Sequence, residues 1–257
     1  MKDKLNKILI LALSVVLFQS CDDSLNIDTS KDVYSDDISD ITYLNTSFFS
    51  TNYDLSYNAG SQIDLLRFGK SDQDIYLEDG FDLGLNGQGY MAITDDNQNV
   101  FLQSRTMSTI FCYSTIGEMV YSATDSVSTA WQPSGICYIT DKDSLLLLYR
   151  NLNSPKQYRA RIVDKSNPYK SGFDNTFNLN FIDTTYYGVY AIEYKEPSFF
   201  MLGVNNTGQD VLIQTDQNFE VTSTETIPDS TVVGLCFDRD DLYLSYRDRR
   251  IERWNSY

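Results

Sequence analysis

The chain has 257 residues, with 20 Lys and Arg against 36 Asp and Glu, no histidine, and a formal net charge of −16. A field of that sign turns away nucleic acid and anionic lipid headgroups, and the missing imidazole excludes a Ser-His-Asp triad, a Cys-His pair and every His-ligated zinc site. Hydrophobic residues at 42% and aromatics at 14% suffice for a core, and the length suits one large all-β domain or two small ones.

At the N-terminus, Lys2, Lys4 and Lys7 form a positive region, residues 8–18 an apolar run, and Gln19-Ser20 the approach to a cleavage site. The apolar run is too short to span ~30 Å of hydrocarbon. Leu17-Phe18-Gln19-Ser20-Cys21 resembles a bacterial lipobox, with Gln19 and Ser20 standing where small residues are usual. The resemblance implies a signal peptide over 1–20, acylation of Cys21 and anchorage to outer-membrane lipid. A plain secretory signal is the alternative.

Residues 21–40 are rich in Asp and Ser, with Lys31 as their one positive charge, and read as a lipidated, solvated tether. The acidic stretch after Cys21 resembles the export signal of surface lipoproteins. That implies display on the cell surface, with the periplasmic face as the alternative.

Residues 41–257 read as one β-propeller domain made of a repeated unit. The first unit is degenerate, with strands at Ser47-Phe-Phe-Ser, Asp54-Leu-Ser-Tyr, Ile63-Asp-Leu-Leu-Arg-Phe and Asp74-Ile-Tyr-Leu and no opening glycine. Four further units open with Gly89-Tyr-Met-Ala-Ile-Thr-Asp, Gly135-Ile-Cys-Tyr-Ile-Thr-Asp, Gly188-Val-Tyr-Ala-Ile-Glu-Tyr and Gly234-Leu-Cys-Phe-Asp-Arg-Asp. Their spacing of roughly 45 to 55 residues matches a four-stranded blade. Turns such as Asp95-Asp-Asn-Gln-Asn and Asp238-Arg-Asp-Asp, set between apolar runs, are hairpin signals.

The run from Val233 to Trp254 resembles a blade of the NHL-like and six-bladed propeller families. The expected fold is all-β, a propeller of about five four-stranded antiparallel blades, with six as the alternative. The resemblance brings no catalytic residue with it. The last unit ends after three strands, so a segment between residues 22 and 44 is expected to supply the fourth and spare the ring two open edges.

Asp95, Asp141, Glu193 and Asp238 end the innermost strands. Five-bladed propellers resemble arabinan- and fructan-cleaving glycosidases, whose channel carboxylates serve as acid and base. These four, however, lead into hairpin turns on the face opposite the usual ligand-binding loops, where Asp is an ordinary turn residue. The same turns lack the spacing of a dedicated calcium loop, so neither a metal nor a cofactor is expected.

Arg105, Arg150 and Arg247 each follow the second strand of a unit, which places them at equivalent radial positions as a cationic arc. Guanidinium groups recognise carboxylate, phosphate or sulfate bidentately and stack on sugar faces. Trp131, Tyr186 and Tyr187 sit in loops on the same face and offer flat apolar surfaces. Those six are the candidate ligand-binding residues; Arg–Asp pairing and cross-strand aromatic packing are the ordinary alternatives. Cys112, Cys137 and Cys236 read as buried small hydrophobes, with one disulfide as the alternative.

The segments Asp23-Ser-Leu, Asp125-Ser-Val, Asp143-Ser-Leu, Asp183-Thr-Thr and Asp229-Ser-Thr resemble the O-glycosylation sequon of some exported bacterial proteins. The whole points to a membrane-anchored surface lipoprotein whose propeller binds a glycan, another nutrient, or a protein partner such as an outer-membrane transporter or enzyme. A glycoside hydrolase or lyase using channel-facing carboxylates is the alternative.

Overall fold

The computed structural model describes residues 24–25, 27–28, 38–52, 65–71, 75–83, 91–104, 108–124, 130–154, 157–168, 176–183, 186–228, 231–247 and 250–254. Cys21 and its leader, Gly89, Arg105 and the run Asp54-Leu-Ser-Tyr lie outside them.

Two short strands come first, β1 (Ser24–Leu25) and β2 (Ile27–Asp28). Blade I is then built from β3 (Ile38–Leu44), β4 (Ser47–Asn52), β5 (Leu65–Lys70) and β6 (Ile75–Phe81). Blade II holds β7 (Met91–Asp95), β8 (Asn99–Ser104), β9 (Thr109–Ser114) and β10 (Met119–Thr124), and blade III holds β11 (Trp131–Ile139), β12 (Ser144–Asn151), β13 (Tyr158–Asp164) and β14 (Thr176–Asn178). Blade IV holds β15 (Tyr186–Lys195), β16 (Ser198–Asn205), β17 (Asp210–Thr215) and β18 (Val221–Thr226), and blade V holds β19 (Val232–Asp238), β20 (Asp241–Tyr246) and β21 (Ile251–Trp254). Each blade is an antiparallel meander with its first strand innermost.

The fold is therefore a five-bladed β-propeller, not a six-bladed one. Its core is divided into five clusters, one at each blade junction. Leu44, Phe49, Ile93 and Leu102 fill the junction of blades I and II, Phe101, Ile110, Leu145 and Leu147 that of II and III, and Leu146, Leu148, Val189 and Met201 that of III and IV. Leu202, Leu212, Leu235 and Leu244 fill the junction of IV and V, and Ile41, Phe48, Cys236 and Tyr243 close the circle between V and I. The run Leu145 to Leu148, fully buried at each position, shows the logic. A second strand is covered on both faces by neighbouring blades, so it is apolar without alternation, at about 1.5 to 3 kcal/mol per buried side chain. Outermost β18 is covered on neither face to that degree, and its sequence Val-Thr-Ser-Thr-Glu-Thr is mostly exposed.

Blade V receives its fourth strand from the N-terminus. β1 pairs antiparallel with β21 through Ser24 with Glu252 and Leu25 with Ile251, as the three-strand ending of the last unit requires. β2 then adds in parallel to the outer edge of β6 through Ile27 with Ile75 and Asp28 with Tyr76. Part of the expected tether is thus built into the sheets. The reading of the first unit also changes: its innermost strand is Ile38–Leu44, and Ser47–Asn52 is the second. The strand escaped notice because Ile-Ser-Asp-Ile-Thr-Tyr-Leu carries a charge in its middle and has no glycine before it.

In the later units the glycine follows a break in strand register, between Pro133 and Gly135, Tyr186 and Gly188, and Val232 and Gly234. At Gly234 the reason is close approach, since a Cβ there would lie 2.5 Å from the Asp40 Cα of blade I.

Candidate functional site

The five inner strands line a central channel and are stitched to one another by polar side chains. Asp40 accepts the Ile93 amide at 3.2 Å, Thr94 Oγ1 accepts the Tyr138 amide at 3.1 Å, and Ser134 donates to the Val189 carbonyl at 2.9 Å. The inner edge of a blade has no further strand to pair with, so these groups supply the partners that buried amides and carbonyls require.

At the hairpin end of the channel lies an open pocket of about 110 Å³. Every blade contributes two residues: Thr42 and Tyr43, Asp95 and Asn97, Tyr138 and Thr140, Glu193 and Tyr194, Cys236 and Phe237. Inner strands converge only at the axis of the ring, so this pocket is the mouth of the channel.

Two carboxylates distinguish it. Asp95 accepts the Thr42 hydroxyl at 2.6 Å and the Asn97 amide at 2.8 Å. Burial nevertheless pushes its pKa up to about 6, because those two hydrogen bonds only partly offset the lost hydration. Glu193 is buried, with the amide of Tyr194 donating to it at 2.9 Å. Burial first, and then the negative charges of Asp95 and Asp40, lift it well above the usual carboxylate range. Both carboxyls of the pocket, Asp95 and Glu193, thus hold their protons more tightly than exposed ones do. Thr42 and Thr140 add hydroxyls, and Tyr43, Tyr138 and Phe237 add flat ring surface. Such a lining suits a small, hydroxyl-rich, uncharged ligand.

Acidic turn residues also latch the five blade junctions on this face, Asp95 one of them and other aspartates the remaining four. Thr42 to Asp95 joins I to II, and Lys165 reaches Asp96 at 2.8 Å between III and II. Tyr194 donates to Asp141 between IV and III. Lys195 pairs with Asp240 at 2.7 Å between IV and V, and Lys70 with Asp238 at 2.9 Å between I and V. Asp141 and Asp238 thus each hold a contact across a blade junction. Asp95 serves both latch and pocket, and Glu193 serves the pocket.

The loop face looks different from its sequence expectation. Arg105 lies outside the described residues. Arg150 lies within β12, one residue before its end, in register with Gln132 and partly buried, while Arg247 follows β20 and is exposed, its amide bonded to the Thr231 carbonyl at 2.8 Å. Trp131 has the Arg159 guanidinium 4.3 Å above its ring, so its face is already covered. Tyr186 is 5% exposed, packs edge-on to Phe181 and shares a 2.7 Å hydrogen bond with the Thr224 hydroxyl. That ring belongs to the core, not to a ligand platform. Tyr187 contributes backbone to β15, and its side chain lies outside the described residues.

Sequence reading missed Asp40, Thr42 and Tyr43 because it misplaced the first inner strand. The signal was present: an aspartate inside an otherwise apolar-alternating run seldom survives without a polar neighbour to satisfy it. Cys112, Cys137 and Cys236 are free and buried. Among the described residues no helix is long and apolar enough to cross a membrane, and no group of His, Cys, Asp and Glu could hold a metal ion.

No protein-family model and no curated protein sequence matches the chain. Solved structures do resemble it. The glutaminyl cyclase of Myxococcus xanthus aligns with a TM-score of 0.51 at 11% identity, over 85% of this chain and 90% of that one. A chain in a nidogen/laminin complex aligns with a TM-score of 0.49 at 10% identity, over 81% and 72% of the two chains. A structure of the Dos1 propeller aligns with a TM-score of 0.44 at 14% identity, over 86% and 56%. At these identities the likeness is one of fold.

Proposed function

We propose that the chain is a lipid-anchored surface protein whose propeller binds a small hydroxyl-rich ligand, such as a sugar unit of a glycan, at the hairpin-face mouth of its channel. The observation that carries this reading is the pocket itself, drawn from all five inner strands and furnished with two carboxyls, Asp95 and Glu193, beside threonine hydroxyls and aromatic rings. The surface address rests on the leader and on Cys21. Titrating a Cys21→Ser form of the protein with a glycan and nutrient panel tests the site. Glu193→Gln with Asp95→Asn should weaken the best ligand at least tenfold, about 1.4 kcal/mol, while Arg150→Ala with Arg247→Ala leaves it unchanged. The opposite pattern would move the site to the loop face.

A second reading is favoured by one feature of the same pocket. Two carboxyls in one pocket, Asp95 and Glu193, both held above their usual range by burial, are the kind of groups that acid–base catalysis uses. In that case the pair supplies acid and base, and the substrate is a glycoside. Release of reducing ends from a polysaccharide panel, lost in Glu193→Gln, separates hydrolysis from binding alone.

A further inference from the structure

The strand that closes the ring stands almost at the anchor. Ser24–Leu25 pairs with the outer edge of blade V, and Ile27–Asp28 with the outer edge of blade I, so β1 and β2 lie on the perimeter at either side of the seam of these two blades. Only Asp22 and Asp23 separate Ser24 from Cys21. Three residues span at most about 11 Å even when fully extended, and the headgroup layer on one side of a bilayer is itself roughly 5 to 8 Å deep. A free coil over residues 21–40 would have reached roughly 25 Å and let the domain tumble.

Resting on the reading of Cys21 as acylated, we propose that the rim at the seam of blades V and I is the membrane-contacting surface. The propeller stands on that rim, and the pocket at the hairpin end of its channel opens sideways into solvent. A ligand then enters the pocket along the surface of the bilayer without passing between protein and lipid.

The side chains on this rim suit a headgroup zone. Tyr76, in register with Asp28, is 42% exposed. Arg253 of β21, the strand that β1 covers, is exposed. Tyr and Arg are side chains whose apolar body and polar tip fit a membrane–water boundary. The acidic Glu78 of the same outer strand of blade I is paired with Arg67 at 3.0 Å, which reduces its repulsion from anionic lipid.

The test uses the lipidated protein in vesicles of phosphatidylethanolamine and phosphatidylglycerol, with one fluorophore per variant and a headgroup-located nitroxide lipid as quencher. Labels go on Tyr76→Cys at the seam, Asn178→Cys on the outer strand of blade III across the ring, Lys142→Cys on the hairpin face and Leu152→Cys on the loop face. Native Cys112, Cys137 and Cys236 are buried and stay unlabelled. The seam label should be quenched several-fold more than the blade III label, with the two face labels between them. Strongest quenching at Lys142 or Leu152 would mean the propeller lies on a face, and overturns the proposal. A Gly-Ser spacer of about 20 residues between Asp23 and Ser24 should flatten the gradient while the protein stays bound; a gradient that persists also overturns it. Protein that leaves the vesicles with Cys21 intact defeats the acylation reading and the proposal together, an outcome distinct from bound protein in the wrong orientation.

Discussion

Lys70 of blade I meets Asp238 of blade V at 2.9 Å, across the seam where the ring closes. Both side chains are about four-fifths buried, at 22% and 18% exposure, and the ammonium also stands 4.5 Å over the ring of Tyr243 and donates to its hydroxyl. Burial alone would lower the lysine pKa, but the hydrogen bonds to Tyr243 and Asp238 outweigh it and hold the ammonium above its usual range. Exposed pairs contribute up to about 1 kcal/mol, and loss of a partner from a fully buried pair costs about 3 to 5 kcal/mol. Lys70→Met should therefore cost about 1 to 2 kcal/mol in chemical denaturation. A double-mutant cycle with Asp238→Asn should return most of that as coupling, and additive single effects would show that the pair does not hold the seam.

Asp95 gives the protein an unusual pH response. Its carboxyl is pushed from 3.8 in the unfolded chain to about 6 in the fold, so between those values the folded state binds more protons. Stability from this group accordingly falls as pH rises from about 4 to 6 and is level above that, with an upper bound of about 3 kcal/mol. Asp95→Asn removes the titration, so the difference between variant and parent should shift in the variant's favour as pH rises from 4.5 to 7.5. Urea midpoints at the two pH values measure it. A pH-independent difference would mean that Asp95 titrates normally.

Much of the architecture was legible because the repeat is written in residues that strands and turns require. Gly135, Gly188 and Gly234 each mark an inner strand that bends past its neighbour, and the missing fourth strand of the last unit required a donor from the N-terminus. The first blade was obscured for a physical reason. Its inner strand buries Asp40, which is satisfied by an amide of the next blade, and no local pattern announces a partner 53 residues away. The site was harder still. Asp95, Asp141, Glu193 and Asp238 look alike in sequence, and only the closing of the ring decides which faces a lysine, which a phenol and which the channel. Likewise Trp131 and Tyr186 carry the composition of a binding surface, but Arg159 and Thr224 already occupy them.

Gly234→Ala should be among the most damaging small substitutions. The new Cβ would fall 2.5 Å from a backbone atom of Asp40 and 2.6 Å from its carboxylate, so blades V and I must part. Overpacking of this kind costs about 1 to 3 kcal/mol. Gly208→Ala is the control, because its Cβ would meet nothing within 4 Å, although its φ of +82° brings a penalty of about 1 kcal/mol from left-handed backbone. Thermal melts should rank Gly234→Ala well below Gly208→Ala, and equal melting would deny the close approach.

The three buried thiols should be silent. Burial pushes Cys112 up to about 12 and Cys137 and Cys236 well above the ordinary thiol range, with the nearby carboxylates adding to the effect. A thiol that does not ionise is a poor nucleophile. Native protein in the Cys21→Ser form should give no reaction with a disulfide reagent at pH 8, and three equivalents after unfolding in guanidinium. Fast reaction of any one in the native state would contradict its burial.

The ring-closing strand makes the most demanding prediction, since it is two residues long and far in sequence from its partner. In a soluble form, removing residues 22–28 deletes the pairing of Leu25 with Ile251 and of Ile27 with Ile75, and exposes the edges of β21 and β6. A hydrogen bond contributes about 1 kcal/mol net, so the direct loss is at least ~2 kcal/mol. An uncovered edge also invites pairing between molecules. Amide exchange should therefore accelerate in Val232–Asp238 and Asp241–Tyr246 of blade V ahead of blades II to IV, and the truncated protein should associate at high concentration. A peptide carrying residues 22–30, supplied in trans, should restore protection by adding back the strand. Unchanged exchange in blade V after truncation would mean that the ring closes through its core alone.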